Sequence, residues 1–251
     1  MMRMKLAIVA FCMYAANVFA QDVVALLQEA EQHYQQRETP GEIAKAIEGL
    51  ERARETDPKS YEVNWRLSKA YWYQGKHVPK EQTAASFEKG IAAGIKATEL
   101  DPKACEGHFW LGINYALLAE NSGKMKALGL IDDVKTEINA SMKIDESCEC
   151  GGPQRVLGKL YAKIPWFKGG SKSKSIESLK RSIELCPNDT QSRIFLAEVY
   201  ADQGKRSLAL EQLNLVVKQE PDPAWLPETK ENKIIASKMI EQLQKTKKEG
   251  T

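Results

Sequence analysis

The side chains able to do chemistry here are a set of cysteines, three histidines and one pair of adjacent aspartates. Cys105, Cys148, Cys150 and Cys186 lie beyond the first twenty residues, and four cysteines allow three disulfide pairings. A four-cysteine zinc site is the rival, since it needs the same clustering. His33, His77 and His108 have no nucleophile or metal-ligand spacing beside them. His108 stands on a helical pattern, where a hydrogen-bonded structural imidazole competes with a functional one. Asp132 and Asp133, in the phrase LIDDVK, are expected to open a helix and complement its N-terminal dipole rather than act as paired acid and base. Gly169-Gly170-Ser171-Lys172 lacks the full GxxxxGK[ST] spacing and a preceding strand, so it reads as a hinge into a helix. No catalytic residue, cofactor or metal is expected.

These residues sit on a chain that begins as an export signal. Arg3 and Lys5 precede the apolar run Leu6 to Phe11, and the segment ends Val18-Phe19-Ala20. That pattern predicts cleavage after Ala20, a domain over 21–251 and a periplasmic protein. Cys12 raises lipid attachment, but Phe11 stands where a lipoprotein signal requires a small residue. Without Arg3 and Lys5 the 36 basic side chains fall to 34, equal to the 34 acidic ones. A neutral chain with no long run of one sign until Lys245 to Lys248 excludes nucleic acid as an expected partner.

Internal repetition sets the fold. Pro58, Pro102, Glu146, Pro187 and Pro221 each close a helical pattern, at intervals of 44, 44, 41 and 34 residues. Leu67-Ser68 with Tyr71, Leu111-Gly112 with Tyr115, Leu157-Gly158 with Tyr161, and Leu196-Ala197 with Tyr200 follow those closures. A large apolar residue, a small one and an aromatic one turn later let a paired helix approach closely. The pattern resembles the tetratricopeptide repeat, and it fits best at Leu196, Ala197, Tyr200, Gly204, Ala209 and Pro221. The expected fold is all-α: a tetratricopeptide-like helical-hairpin solenoid of about five repeats plus a C-terminal capping helix. The first helix runs from Asp22 to about Gln36 with Val24, Leu27, Ala30 and Tyr34 on one side. The last, Glu228 to Gln244, places Ile234, Ile235, Met239, Ile240 and Leu243 at helical spacing beneath a polar outer face. In this frame Cys105 and Cys148 flank one hairpin, as do Cys150 and Cys186, which favours the pairings Cys105–Cys148 and Cys150–Cys186.

Extra residues fall between the two helices of three successive repeats, over 73–83, 120–131 and 164–173, and are expected to form loops along one edge. The third belongs to GGPQRVLGKLYAKIPWFKGG, Gly151 to Gly170. Pro153 suits a first helical position and Pro165 stops the helix near Lys163, leaving Trp166 and Phe167 before paired glycines. They serve either as a cover for their own hairpin or as a rim for a ligand or partner.

This block, with Tyr71-Trp72-Tyr73-Gln74-Gly75-Lys76-His77, Glu106 to Tyr115, Lys126 to Lys135 and Leu196-Ala197-Glu198-Val199-Tyr200, resembles the T component of TRAP (tripartite ATP-independent periplasmic) transporters, over residues 60–240. The resemblance implies a non-enzymatic periplasmic accessory that docks the substrate-binding P component. It also implies a homotrimer enclosing a pore and passage of a small apolar or carboxylate ligand. A general cell-envelope scaffold gripping peptides or proteins is the competing class. Helical phase adds a candidate surface beside the hairpin-facing residues. Trp65 and Trp72, Phe109 and Ile113, Arg155 and Lys159, then Ile194 and Glu198 recur along one stripe. Trp65, Trp72, Phe109, Ile113 and Ile194 would form an apolar floor around a cationic centre of Arg155 and Lys159. The competing reading makes these residues core.

Overall fold

A computed structural model describes residues 22–249, with side chains from 22 to 245. The expected export segment lies outside the described residues. Among them there is no strand, and no helix is long and apolar enough to cross a membrane. The described residues divide into two compact units, the first ending at Pro102 and the second beginning at Lys103.

The first unit holds two hairpins: α1 (22–35) with α2 (Glu42–Thr56), and α3 (Tyr61–His77) with α4 (Lys80–Leu100). The core side of α1 is formed by Val23, Ala30 and Tyr34, whereas Val24 points to solvent. Ala30 sets this phase, because Gly49 of α2 comes so close that an added Cβ would meet the Ala30 methyl at 3.4 Å. Ser68 of α3 is fully buried and donates to the Gly90 carbonyl of α4 at 2.8 Å, so the small position carries a hydrogen bond across the hairpin. Farther along, Phe87 lies against Gly75, leaving no room for a side chain there.

The second unit holds three hairpins and a closing helix. These are α5 (Cys105–Glu120) with α6 (Lys124–Ile144), α7 (Cys148–Lys163) with α8 (Lys172–Leu185), α9 (Thr190–Asp202) with α10 (Arg206–Lys218), and α11 (Leu226–Glu249). The first helices lie side by side, α5 on α7, α7 on α9 and α9 on α11, while α6, α8 and α10 form a second layer. Each hairpin closes on its small residue: a Cβ on Gly112 would stand 2.7 Å from Ile138, and one on Gly158 2.5 Å from Leu179. Ala197 is fully buried among Leu179, Ile194, Leu196, Leu213 and Val216. Helix α11 is locked to α9 by the buried Asn232 amide donating to the Thr190 hydroxyl at 2.9 Å. Its outer face is less polar than expected. Ala236, Met239, Ile240 and Leu243 turn inward, and Ile234 and Ile235 are exposed.

Both hairpin disulfides are present as the repeat frame places them, Cys105–Cys148 and Cys150–Cys186, with Cα atoms 6.2 and 5.3 Å apart. The chain between them passes through the left-handed region at Glu149, Cys150 and Gly151 (φ 47, 60 and 66°), so the regular part of α7 begins at Gly152-Pro153. Only glycine takes this conformation without cost, and Glu149 is held there by its carboxylate accepting from Trp110 Nε1 at 2.9 Å. The helix ends at Lys163, where Pro165 removes the next backbone donor.

Two of the three expected insertion loops are helix instead. Helix α3 runs to His77 and α4 starts at Lys80, while α6 starts at Lys124, directly behind Gly123. Asp132 and Asp133 therefore sit well inside α6 rather than at its start, and Asp132 pairs with Lys168 at 3.1 Å. The turn-forming residues Val78-Pro79 and Asn121-Ser122-Gly123 are too few to interrupt the helical patterns for longer. Only 164–171 remains non-helical apart from a 3₁₀ turn at Trp166–Lys168, and Ser171 caps α8 by accepting from the Lys174 amide.

Substituting Gly112→Val is expected to destabilise the fold by about 1–3 kcal/mol more than Gly129→Val in urea unfolding. Nothing lies within 4 Å of a Cβ at Gly129, so an equal loss at both sites would contradict the close-approach account. Replacing Cys105 and Cys148 by Ser should remove about 2–4 kcal/mol by the same measurement.

Candidate partner-binding face

The expected stripe divides between core and surface. Trp72, Phe109 and Ile194 are buried. Phe109 seats its ring against Gly152 of the neighbouring α7, and Ile194 belongs to the cluster around Leu179 and Leu213. The apolar floor is therefore corrected: these three are core rather than a groove lining, with Phe109 joining α5 to α7 and Ile194 clustering with Leu179 of α8 and Leu213 of α10. Trp65 is half-exposed at a cleft of about 20 Å³ lined by Ala30, Glu31, Tyr34, Leu50, Arg66 and Lys69. That space has room for about one water molecule and is far below an organic ligand. Arg66 and Lys69 lie 5.2 and 5.9 Å from the Trp65 ring.

The cationic centre is present and internally paired. Arg155 Nη1 donates to Asp189 at 2.9 Å and to the Cys150 carbonyl at 3.3 Å, with both charged side chains nearly buried. Asp189 also caps α9 by accepting from the Gln191 and Ser192 amides. Arg155 thus ties the start of α7 to the start of α9 and has its carboxylate already. Lys159 reaches Glu120 of α5 at 2.7 Å and lies 4.8 Å from the Phe195 ring of α9. Ile113 is half-buried on α5.

What emerges is a strip across three helices: Glu120 on α5, Lys159 and Lys163 on α7, Phe195, Glu198 and Asp202 on α9. Burial pushes the Glu198 carboxyl above its ordinary value, and the charges of Asp202 and Glu120 add to this. Lys163 and Lys159 oppose the rise without cancelling it. A partly desolvated carboxylate beside an aromatic ring and two lysines can bind a chain segment of mixed charge. Phe195, Glu120 and Asp189 lay outside the expected site residues. The sequence signal was opposite charges one repeat apart, as in Arg155 and Asp189, 34 residues distant.

Trp166 and Phe167 do not join this strip. They project from the turn after α7, packed edge to face with ring centroids 6.0 Å apart. His108 bonds Glu137 across the α5–α6 hairpin at 2.7 Å, and His33 bonds Glu42 at 2.6 Å between α1 and α2. His77 stacks on Tyr73 with centroids 4.0 Å apart. All three imidazoles therefore have structural contacts.

Comparison with known proteins places this architecture among tetratricopeptide-repeat proteins. Residues 26–148 match the family described as Regulator of microtubule dynamics protein 1-3. Tetratricopeptide repeat protein 37 of Xenopus laevis is 24% identical over 197 residues, 70% of this chain and 12% of its own length. Superkiller complex protein 3 of Mus musculus is 24% identical over 209 residues, 74% and 13% of the two chains. The chain spans about an eighth of these curated relatives. Among solved structures, a thermophilic TPR protein of Thermus thermophilus aligns at a TM-score of 0.67 and 18% identity, covering 86% of this chain and 97% of that one. The pilF protein of Pseudomonas aeruginosa aligns at 0.58 and 14% identity, covering 90% and 93%. The class is a tetratricopeptide-type helical-hairpin fold.

The Glu198 arrangement predicts a pH-dependent stability. A carboxyl whose folded pKa is raised contributes fully below its unfolded value, ordinarily 4.5, and that contribution is lost as pH rises through the folded value. Glu198→Gln should therefore raise Tm at pH 7 and leave it unchanged below about pH 4. A lower Tm at pH 7 would show that the lysines, not burial, dominate.

Proposed function

We propose that this chain is a non-enzymatic scaffold that holds a segment of a protein partner across α5, α7 and α9. The observation carrying this is the strip itself, in which Lys159 is shared between Glu120 and Phe195 beside the desolvated Glu198. Opposite charges on adjacent helices select a segment by charge order, and the half-exposed ring supplies apolar contact area. Such a strip needs no reactive group, and Arg155 with Asp189 keeps its helices in register.

The finer reading rests on the sequence resemblance: the partner is the substrate-binding P component of a TRAP transporter, met by a homotrimer in the periplasm. Its support is the Gly151 to Gly170 block together with the hairpin fold. In this role the scaffold positions the binding protein and leaves ligand selection to it. Calorimetric titration with a purified P component tests the reading. Binding that weakens about tenfold in Lys159→Glu, measured well below the lowered Tm that a carboxylate beside Glu120 and Glu198 brings, is the expected result. Identical affinity in the variant would remove the strip from the interface, and no binding by the unaltered chain would remove the transporter assignment. Light scattering should give three times the chain mass, and a monomer at high micromolar concentration would refute the trimer.

A further inference from the structure

The two ends of the hairpins in the second unit carry opposite charge. Each connection can be taken with the three residues on either side of it. The ends within hairpins, 118–126, 161–174 and 200–208, then hold eight Lys or Arg and two carboxylates. The ends between hairpins, 142–150, 183–192 and 216–228, hold two Lys and eight carboxylates. Antiparallel helices bring all three segments of each kind to one edge of the unit. The stretch 163–174 alone carries four lysines and no acid.

The cationic edge is also where large apolar side chains project. Trp166 is 84% exposed, Phe167 63% and Met125, in the first turn of α6, 84%. The turn holding the aromatic pair is fixed. Lys135 Nζ donates to the Lys168 carbonyl at 2.6 Å, Lys168 pairs with Asp132, and the Ser171 amide donates to the Tyr161 carbonyl at 2.9 Å. Met125 is seven residues before Asp132, so it lies on the same face of α6, about 10 Å along the axis from the turn's anchor. Asp132 and Asp202 pair with Lys168 and Lys172, and the excess of cations remains after both are counted.

We propose that this edge is a membrane-docking surface for anionic lipid headgroups, with Trp166 and Phe167 entering the headgroup layer and the lysines above them. Aromatic side chains on a rigid projection suit a soft interface that closes around them, where Trp is favoured between water and hydrocarbon. Lysines beside them gain from a negative surface potential. The acidic edge at the far ends of the same helices is repelled, so charge alone orients the unit. This edge adjoins the α5–α7–α9 strip, meeting it at Glu120, Lys163 and Asp202, but its aromatic turn and Met125 lie outside the strip and the proposal does not depend on the strip's partner.

Co-sedimentation of the full chain with vesicles tests the proposal, using equimolar phosphatidylglycerol and phosphatidylcholine against phosphatidylcholine alone. Binding to the anionic vesicles only, reversed by high salt, is expected. Trp166→Ala with Phe167→Ala should weaken it about tenfold, as should Lys124→Glu with Lys172→Glu, with Tm unchanged in both. Equal binding to both vesicle types, undiminished in the aromatic variant, would assign attachment to the apolar N-terminal residues and overturn the proposal. A chain that stays in the supernatant with anionic vesicles overturns it as well, and the aromatic pair then becomes a protein contact.

Discussion

The structure depends on how closely two helices can approach at one small residue per hairpin. Ser68, Gly112, Gly158 and Ala197 stand where the facing helix leaves little or no room for a larger side chain. Close contact at that point fixes the rotation of each helix about its axis, because rotating either helix would put a bulky residue in the gap. Once rotation is fixed, every other position on the helix has its direction. Leu67, Leu111, Leu157 and Leu196 go to the core. Lys159, Phe195 and Glu198 are left along the outer side of the α5–α7–α9 layer.

The second unit adds constraints that hold one hairpin against the next. Two disulfides clasp successive hairpins, and the left-handed turn at Glu149-Cys150-Gly151 lets two cysteines separated by a single residue reach opposite partners. Phe109 on Gly152 and Arg155 on Asp189 join neighbouring first helices. The strip therefore lies on a frame whose relative helix positions are set by packing, covalent links and a nearly buried ion pair. A partner segment then meets charges already ordered, which limits the entropy lost on binding.

Local pattern was legible where one helix face decides the outcome. The five hairpins, the stop at Pro165 and the disulfide frame follow from periodicity, proline chemistry and antiparallel geometry. Contacts between repeats were less legible. Phe109, Trp72 and Ile194 share a helical phase with surface positions, and only tertiary packing buries them, Phe109 against Gly152 of α7 and Ile194 among Leu179 and Leu213. Arg155 shows the same limit for charge, since its carboxylate comes from the following repeat. Asn121-Ser122-Gly123 reads as part of a longer loop by composition, yet the helix resumes at once because Lys124 to Ile131 contains no breaker that outweighs its helix formers.

The central claim is that the α5–α7–α9 strip, rather than the capping end of the second unit, receives the partner. A photo-activatable phenylalanine analogue placed at Phe195, or at exposed Ser237 on α11, distinguishes these surfaces in cells under irradiation. The account predicts a discrete heavier adduct from position 195, abolished by Lys159→Glu, and none from position 237. An adduct from 237 alone, or one from 195 that persists in Lys159→Glu, would contradict it.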